Sequence, residues 1–216
     1  MALLISQPIK STFIHIPKNA GSSISKWLRK NTTCQTTKRK QHALINDVID
    51  GEHSLGKKPI NDLGWTFCVV RNPWDWIVSF YTFEIMLSEY YIDTLIKEPH
   101  LQKIQKEKYN LEYHKTRLAR LKKDGFAGFL NVAPSQLYVQ NNQNTWARGC
   151  DHVMRYENLD TDFKLIQEKF GCNASLSVAN KTTNRSNYKD YYTPETIKIV
   201  AEMYKEDINT FGYKFS

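Results

Sequence analysis

The chain lacks any long apolar run. No stretch of its 216 residues approaches the roughly 20 consecutive apolar residues that a membrane helix needs, so no transmembrane segment is expected. The apolar run Met1–Ile5 is too short for a secretory leader, which predicts a cytoplasmic protein. Cysteine is scarce: Cys34, Cys68, Cys150 and Cys172 are widely spread, with no C-x-x-C pair. That spacing speaks against a metal site and does not indicate disulfides. There is no internal repeat and no linker of biased composition, so residues 1–216 read as one domain with room for a real core. Acidic residues are outnumbered by basic ones, 22 to 30, for a net charge of +8. The excess favours an anionic partner such as a nucleotide, an acidic glycan or nucleic acid, and cannot choose among them. The four N-x-S/T sequons, at Asn31, Asn173, Asn180 and Asn184, read as chance in an Asn-rich chain.

The apolar residues present are ordered in short blocks. Ser11–Ile16 reads as a buried strand ended by Pro17, and Ser22–Lys30 as a helix with Ile24, Trp27 and Leu28 on one face. Asn31–Lys40 reads as polar loop, 43–50 as a short helix and 51–64 as Gly- and Pro-containing loop. Trp65–Val70 is a second strand. It runs into a helix with Asn72 as N-cap and Pro73 at the first helical position, where its missing N–H costs nothing. Lys97–Asp124 carries nine Lys/Arg against four Asp/Glu over a thin apolar stripe, and predicts a long basic helix or a helical hairpin. Short helical pieces follow it. Asp151–Tyr156 is a third strand, followed by a helix that Asp160 could cap and Gly171 stops. Residues 180–192 read as polar loop, and a last helix opens at Thr193-Pro194-Glu195 and ends at Gly212. Strands alternating with helices predict an α/β fold with a mainly parallel central sheet flanked by helices.

Two strand-to-helix joins carry the chemistry. In His15–Ile24, HIPKNAGSSI, a helix start offers unpaired amides and partial positive charge to an anion. Lys18 adds a full charge, Gly21 allows close backbone approach, and Ser22 and Ser23 supply hydroxyls. The order is not that of a Walker A loop, because Lys precedes Gly. In RNPWDWIVSFY, Arg71 stands where strand gives way to helix, the ligand edge of such sheets. Ser79 lies seven residues beyond Asn72, about two turns on, so the pair could grip one phosphate group.

These two segments resemble, in that order, the 5′-phosphosulfate and 3′-phosphate motifs of sulfotransferases that use 3′-phosphoadenosine 5′-phosphosulfate (PAPS). Arg155–Leu159 and residues 191–213 resemble later blocks of the carbohydrate-type branch, family 2, so the likeness spans nearly the whole chain. The resemblance implies a three-layer, P-loop-like fold and transfer of a sulfuryl group from PAPS to a hydroxyl, or less readily an amine, of a carbohydrate or other acceptor. It leaves adenosine 3′,5′-bisphosphate (PAP) and requires neither a metal nor nucleic acid. Lys18, Asn19, Ala20, Gly21, Ser22 and Ser23 would hold the 5′ end, Lys18 also acting in catalysis. Arg71 and Ser79 would hold the 3′-phosphate, with Tyr156, Lys181 and Arg185 near the nucleotide. The general base would be His42 or alternatively His53, with Glu157 as an outside candidate and His15 a core or supporting residue. Two departures stand out: the branch often has Thr at positions 19 and 22, and Arg where this chain has Trp76. The basic 97–124 segment matches no motif of the branch, so no role for it is inherited. A P-loop-like nucleotide kinase would need a Mg²⁺-holding carboxylate for which no Walker B pattern is found. A non-catalytic polyanion-binding module would leave both phosphate motifs unexplained.

Overall fold

A computed structural model describes residues 2–36, 63–104, 106–132, 141–177 and 186–216. The described strands are β1 (Ala2–Gln7), β2 (Ser11–Ile14), β3 (Thr33–Thr36), β4 (Trp65–Val70) and β5 (His152–Arg155). They form one sheet in the order β3-β1-β2-β4-β5. β2 pairs with β4, and β4 with β5, in parallel, with Phe13 opposite Phe67 and Cys68 opposite Val153. β1 runs antiparallel to both β2 and β3. Among the described residues the sheet is thus mixed, with two parallel and two antiparallel pairings where a mainly parallel one was expected. The antiparallel half is built from segments that periodicity alone under-reads, since β3 is the polar run Thr-Cys-Gln-Thr, expected to be loop.

Period-two alternation sorts the strands onto two cores. Phe13, Phe67, Val69 and Met154 face one layer, with Ile24, Trp27 and Leu28 of α1 (Gly21–Asn31) and Phe163, Ile166 and Phe170 of α5 (Leu159–Phe170). Ile24 and Leu28 are wholly buried, each contributing about 1.5–3 kcal/mol of transfer free energy. Ile14, Cys68 and Val70 face the other layer, formed by α2 (Pro73–Lys97), α3 (Leu111–Val132), α4 (Gln143–Ala147) and α6 (Pro194–Met203). All four cysteines are free thiols.

Several boundaries differ from expectation. β2 stops at Ile14, because the chain leaves the ladder to form the Lys18 loop. α5 starts at Leu159 with Asn158 as N-cap, leaving Asp160 in the first turn. The last helix is broken at Tyr204 (φ −118°, ψ 32°), so α7 (Lys205–Phe211) follows α6 as a separate element. Residues 97–124 are neither a single helix nor an independent hairpin. They comprise the end of α2, two 3-10 turns (Pro99–Lys103 and Glu107–Tyr109) and the first half of α3, which packs back on α2.

Candidate functional site

Because β2, β4 and β5 are parallel, their C-terminal ends share one edge of the sheet. The segments that follow them meet there: the loop 15–20, the Arg71-Asn72 join and the 3-10 turn Tyr156–Asn158. Ligands of open α/β sheets bind along this edge.

The lysine loop is tightly turned. Lys18 (φ 63°) and Ala20 (φ 55°) both take the left-handed conformation, although neither is glycine. Such positions cost of order 1–3 kcal/mol and persist where surrounding contacts over-determine them. Three side chains supply those contacts. Asn19, buried, donates from Nδ2 to the Val69 carbonyl (2.8 Å) and to Gln143 Oε1 (2.7 Å). The Trp76 indole N–H donates to the Pro17 carbonyl at 2.7 Å, and Arg71 Nη1 to the Lys18 carbonyl at 3.0 Å. Ala20 is the N-cap of α1 and has no side-chain oxygen to satisfy the first-turn amides. Ser22 is exposed and Ser23 buried in that turn.

Gly21 has a packing task that its place in the sequence did not reveal. A Cβ at this position would stand 1.9 Å from Cδ2 of His15, so the room its missing side chain leaves is filled by the histidine ring. His15 is thereby part of the packing under the loop. The Lys18 ammonium reaches α2, 3.8 Å from the centre of the Phe83 ring. Next to Phe83, Glu84 pairs with Arg117 at 2.5 Å, and burial pushes its carboxyl above the ordinary range against the opposing pull of Arg117, Lys18 and His114.

The arginine join is equally engaged. Asn72 caps α2 through Oδ1, which accepts the Trp74 N–H at 3.1 Å. Arg71 Nε donates to Asp75 Oδ2 at 2.6 Å, Nη2 stands 2.6 Å from the same oxygen, and the Tyr156 ring lies under the guanidinium at 3.9 Å. Asp75 one turn along the helix and the Lys18 carbonyl therefore fix the plane of the guanidinium. Ser79 is buried on α2, and Tyr156 is half-exposed at the opening.

Glu157 does not suit the role of base. Its Oε1 accepts the Asn72 N–H at 2.6 Å and its Oε2 the Tyr213 hydroxyl at 3.2 Å, so the carboxylate secures the α2 N-terminus. His42, His53, Lys181 and Arg185 lie outside the described residues.

Sequence reasoning missed the residue that joins both motifs. Gln143, fully buried at the start of α4, accepts from Asn19 Nδ2 and from the Arg71 N–H (2.8 Å) on Oε1, and donates from Nε2 to the Arg71 carbonyl at 2.7 Å. Asp207 of α7 holds it in place: Oδ2 accepts the Gln143 N–H at 2.8 Å and Oδ1 the Asn144 N–H at 2.7 Å. Burial raises the Asp207 carboxyl to about 6 despite these bonds. Neither residue sits in a recognisable pattern. The only sequence signal is the run Asn141–Asn144, polar residues between two apolar segments.

The model of the Sulfotransferase family matches residues 2–214, so the chain belongs to that family, in its family 2 branch. It is a transferase of the sulfuryl-transferring class. No curated protein and no solved structure gives a significant match. Among the described residues, no helix is long and apolar enough to cross a membrane and no cluster of acidic, His and Cys side chains could hold a metal.

Proposed function

We propose that the chain moves a sulfuryl group from PAPS to a hydroxyl of a carbohydrate or similar acceptor, on a three-layer, P-loop-like framework. The observation that carries this reading is the mutual bracing of two anion-suited joins on one sheet edge. Arg71 and Trp76 of the second hold the carbonyls of Lys18 and Pro17 in the first. The residues fit the donor: the α1 amides lack a side-chain cap at Ala20, and Ser22 is open to solvent beside them. PAPS supplies an activated sulfuryl group: the acceptor oxygen bonds to sulfur as the bond to the 5′-phosphate oxygen breaks and PAP departs.

The chain's own groups would act as follows. Lys18 and the amides of residues 21–23 balance charge growing on the leaving phosphate oxygen, where one lost donor typically removes about 10²–10³ in kcat. Arg71, Ser79 and Tyr156 orient the nucleotide end that does not react. His42 or His53 takes the acceptor proton, an assignment carried by the resemblance alone. Lys181 and Arg185 are assigned to the phosphates on the same ground.

Labelled sulfate transfer from PAPS to a panel of sugars and simple alcohols tests this reading, together with PAP titration in the presence of a chelator. PAP binding independent of Mg²⁺, weakened by Lys18→Ala and by Arg71→Ala, is expected. Loss of transfer in only one of His42→Ala and His53→Ala, with PAP binding retained, would identify the base. A preference for ATP with Mg²⁺, or polyanion binding that survives both cation substitutions, would overturn the reading.

A further inference from the structure

We infer that Gln143 is the positioning residue that sets the spacing between the two phosphate-binding joins. This rests on the reading of the site as one for a nucleotide with phosphates at both ends. Gln143 is a buried side chain, outside either join, that bonds to both: Oε1 accepts from Asn19 in the lysine loop and from the Arg71 N–H, and Nε2 donates to the Arg71 carbonyl. Its own backbone is fixed by the Asp207 carboxylate, which comes from the far end of the chain. The side chain is fully buried, so it holds the joins from beneath and does not itself meet a ligand.

A rigid two-ended ligand gains affinity from two cradles only if their separation matches its own. The second contact then forms at high effective concentration, and that gain vanishes when the geometry is lost. Each cradle by itself keeps its local donors. Removing Gln143 should therefore weaken a bisphosphate far more than either monophosphate, whereas general destabilisation would weaken all three together.

The test uses the full chain and three probes: PAP, 5′-AMP and 3′-AMP. Gln143→Met keeps volume and removes the three side-chain bonds to the joins, along with the long one to Asp207 Oδ2 (3.5 Å). It should raise the Kd for PAP by about tenfold or more while each monophosphate shifts less than about threefold. Asp207→Asn should act in the same direction and more weakly, and it carries the test if Gln143→Met does not fold. Equal losses for all three nucleotides, or no loss for PAP, would overturn the positioning role. If the unmodified chain binds 5′-AMP as tightly as PAP, the two-cradle reading itself fails and the inference falls with it.

Discussion

The contact between Gly21 and His15 makes this glycine a packing requirement of the loop. Gly21→Ala would force its new methyl into the ring at 1.9 Å, and overpacking of this kind costs about 1–3 kcal/mol. His15→Ala in the same chain should restore part of that loss, which a double-mutant cycle from urea melts will measure. Additive losses would show that the two positions do not touch. Trp76 answers a different question. The indole is completely buried and its N–H meets the Pro17 carbonyl, so the residue that stands where the branch often has arginine braces the lysine loop. Trp76→Phe should cost about 1–3 kcal/mol, mainly by leaving that carbonyl without its donor, and should weaken PAP binding through the loop. An unchanged PAP affinity at reduced stability would confine Trp76 to the core. Both roles were hidden in the sequence, because a contact between positions 15 and 21 or 17 and 76 depends on how the loop turns. The type of each residue does not reveal it.

Helices and parallel strands were legible where their periodicity was strong. Trp65–Val70 is a strand with the bounds expected, Asn72 and Pro73 open α2 as read, and Gly171 ends α5 in the left-handed conformation (φ 60°). The polar strand β3 and the break at Tyr204 were not legible: one is fixed by its pairing with β1, the other by a tyrosine buried against Trp76 at 5.3 Å. The basic segment also reads differently in three dimensions. Acidic residues of α2 answer its cations: Asp93 pairs with Lys97 within α2, and Glu89 with Lys122 and Glu84 with Arg117 across the α2–α3 contact, so part of the local excess is paired. The two exposed pairs, Asp93–Lys97 and Glu89–Lys122, contribute little, about 0–1 kcal/mol, but with the more buried Glu84–Arg117 pair they leave less free charge to attract an acidic glycan. Within α3 the chain passes Gly125 at φ 62°, ψ −161°, a region open to glycine only. A Cβ there meets nothing within 4 Å, so Gly125→Ala isolates backbone strain, and a loss of about 1–3 kcal/mol in urea melts is expected. No loss would mean that the helix relaxes across the break.

For the whole molecule, Asp207 ties the last helix to the site and leaves a signature in acid. It is an acid whose folded pKa, about 6, lies above the ordinary value near 4, so the folded chain binds its proton more tightly than the unfolded chain. Stability from this group is therefore present below pH about 4 and falls as pH rises to about 6, by a total of about 3 kcal/mol. Asp151 works in the opposite sense: hydrogen bonds from the Thr66 N–H and hydroxyl hold its carboxyl low, so its contribution fades as pH falls, and exposure keeps it small. Urea melts at pH 4.5 and pH 7 should show the Asp207 slope in the unmodified chain and a flattened one in Asp207→Asn; equal slopes would remove the group from the linkage. The two strand-to-helix joins proposed to hold the phosphates were readable in the sequence, since each is a local strand-to-helix pattern. The buried Asn19–Gln143–Asp207 chain that connects them was not, because its members are 124 and 64 positions apart and follow no period. Co-crystallisation with PAP tests the central claim most directly. The account predicts the 5′-phosphate against Lys18 and the amides of residues 21–23, and the 3′-phosphate beside Arg71 and Ser79. A nucleotide bound with either phosphate away from its join would contradict it.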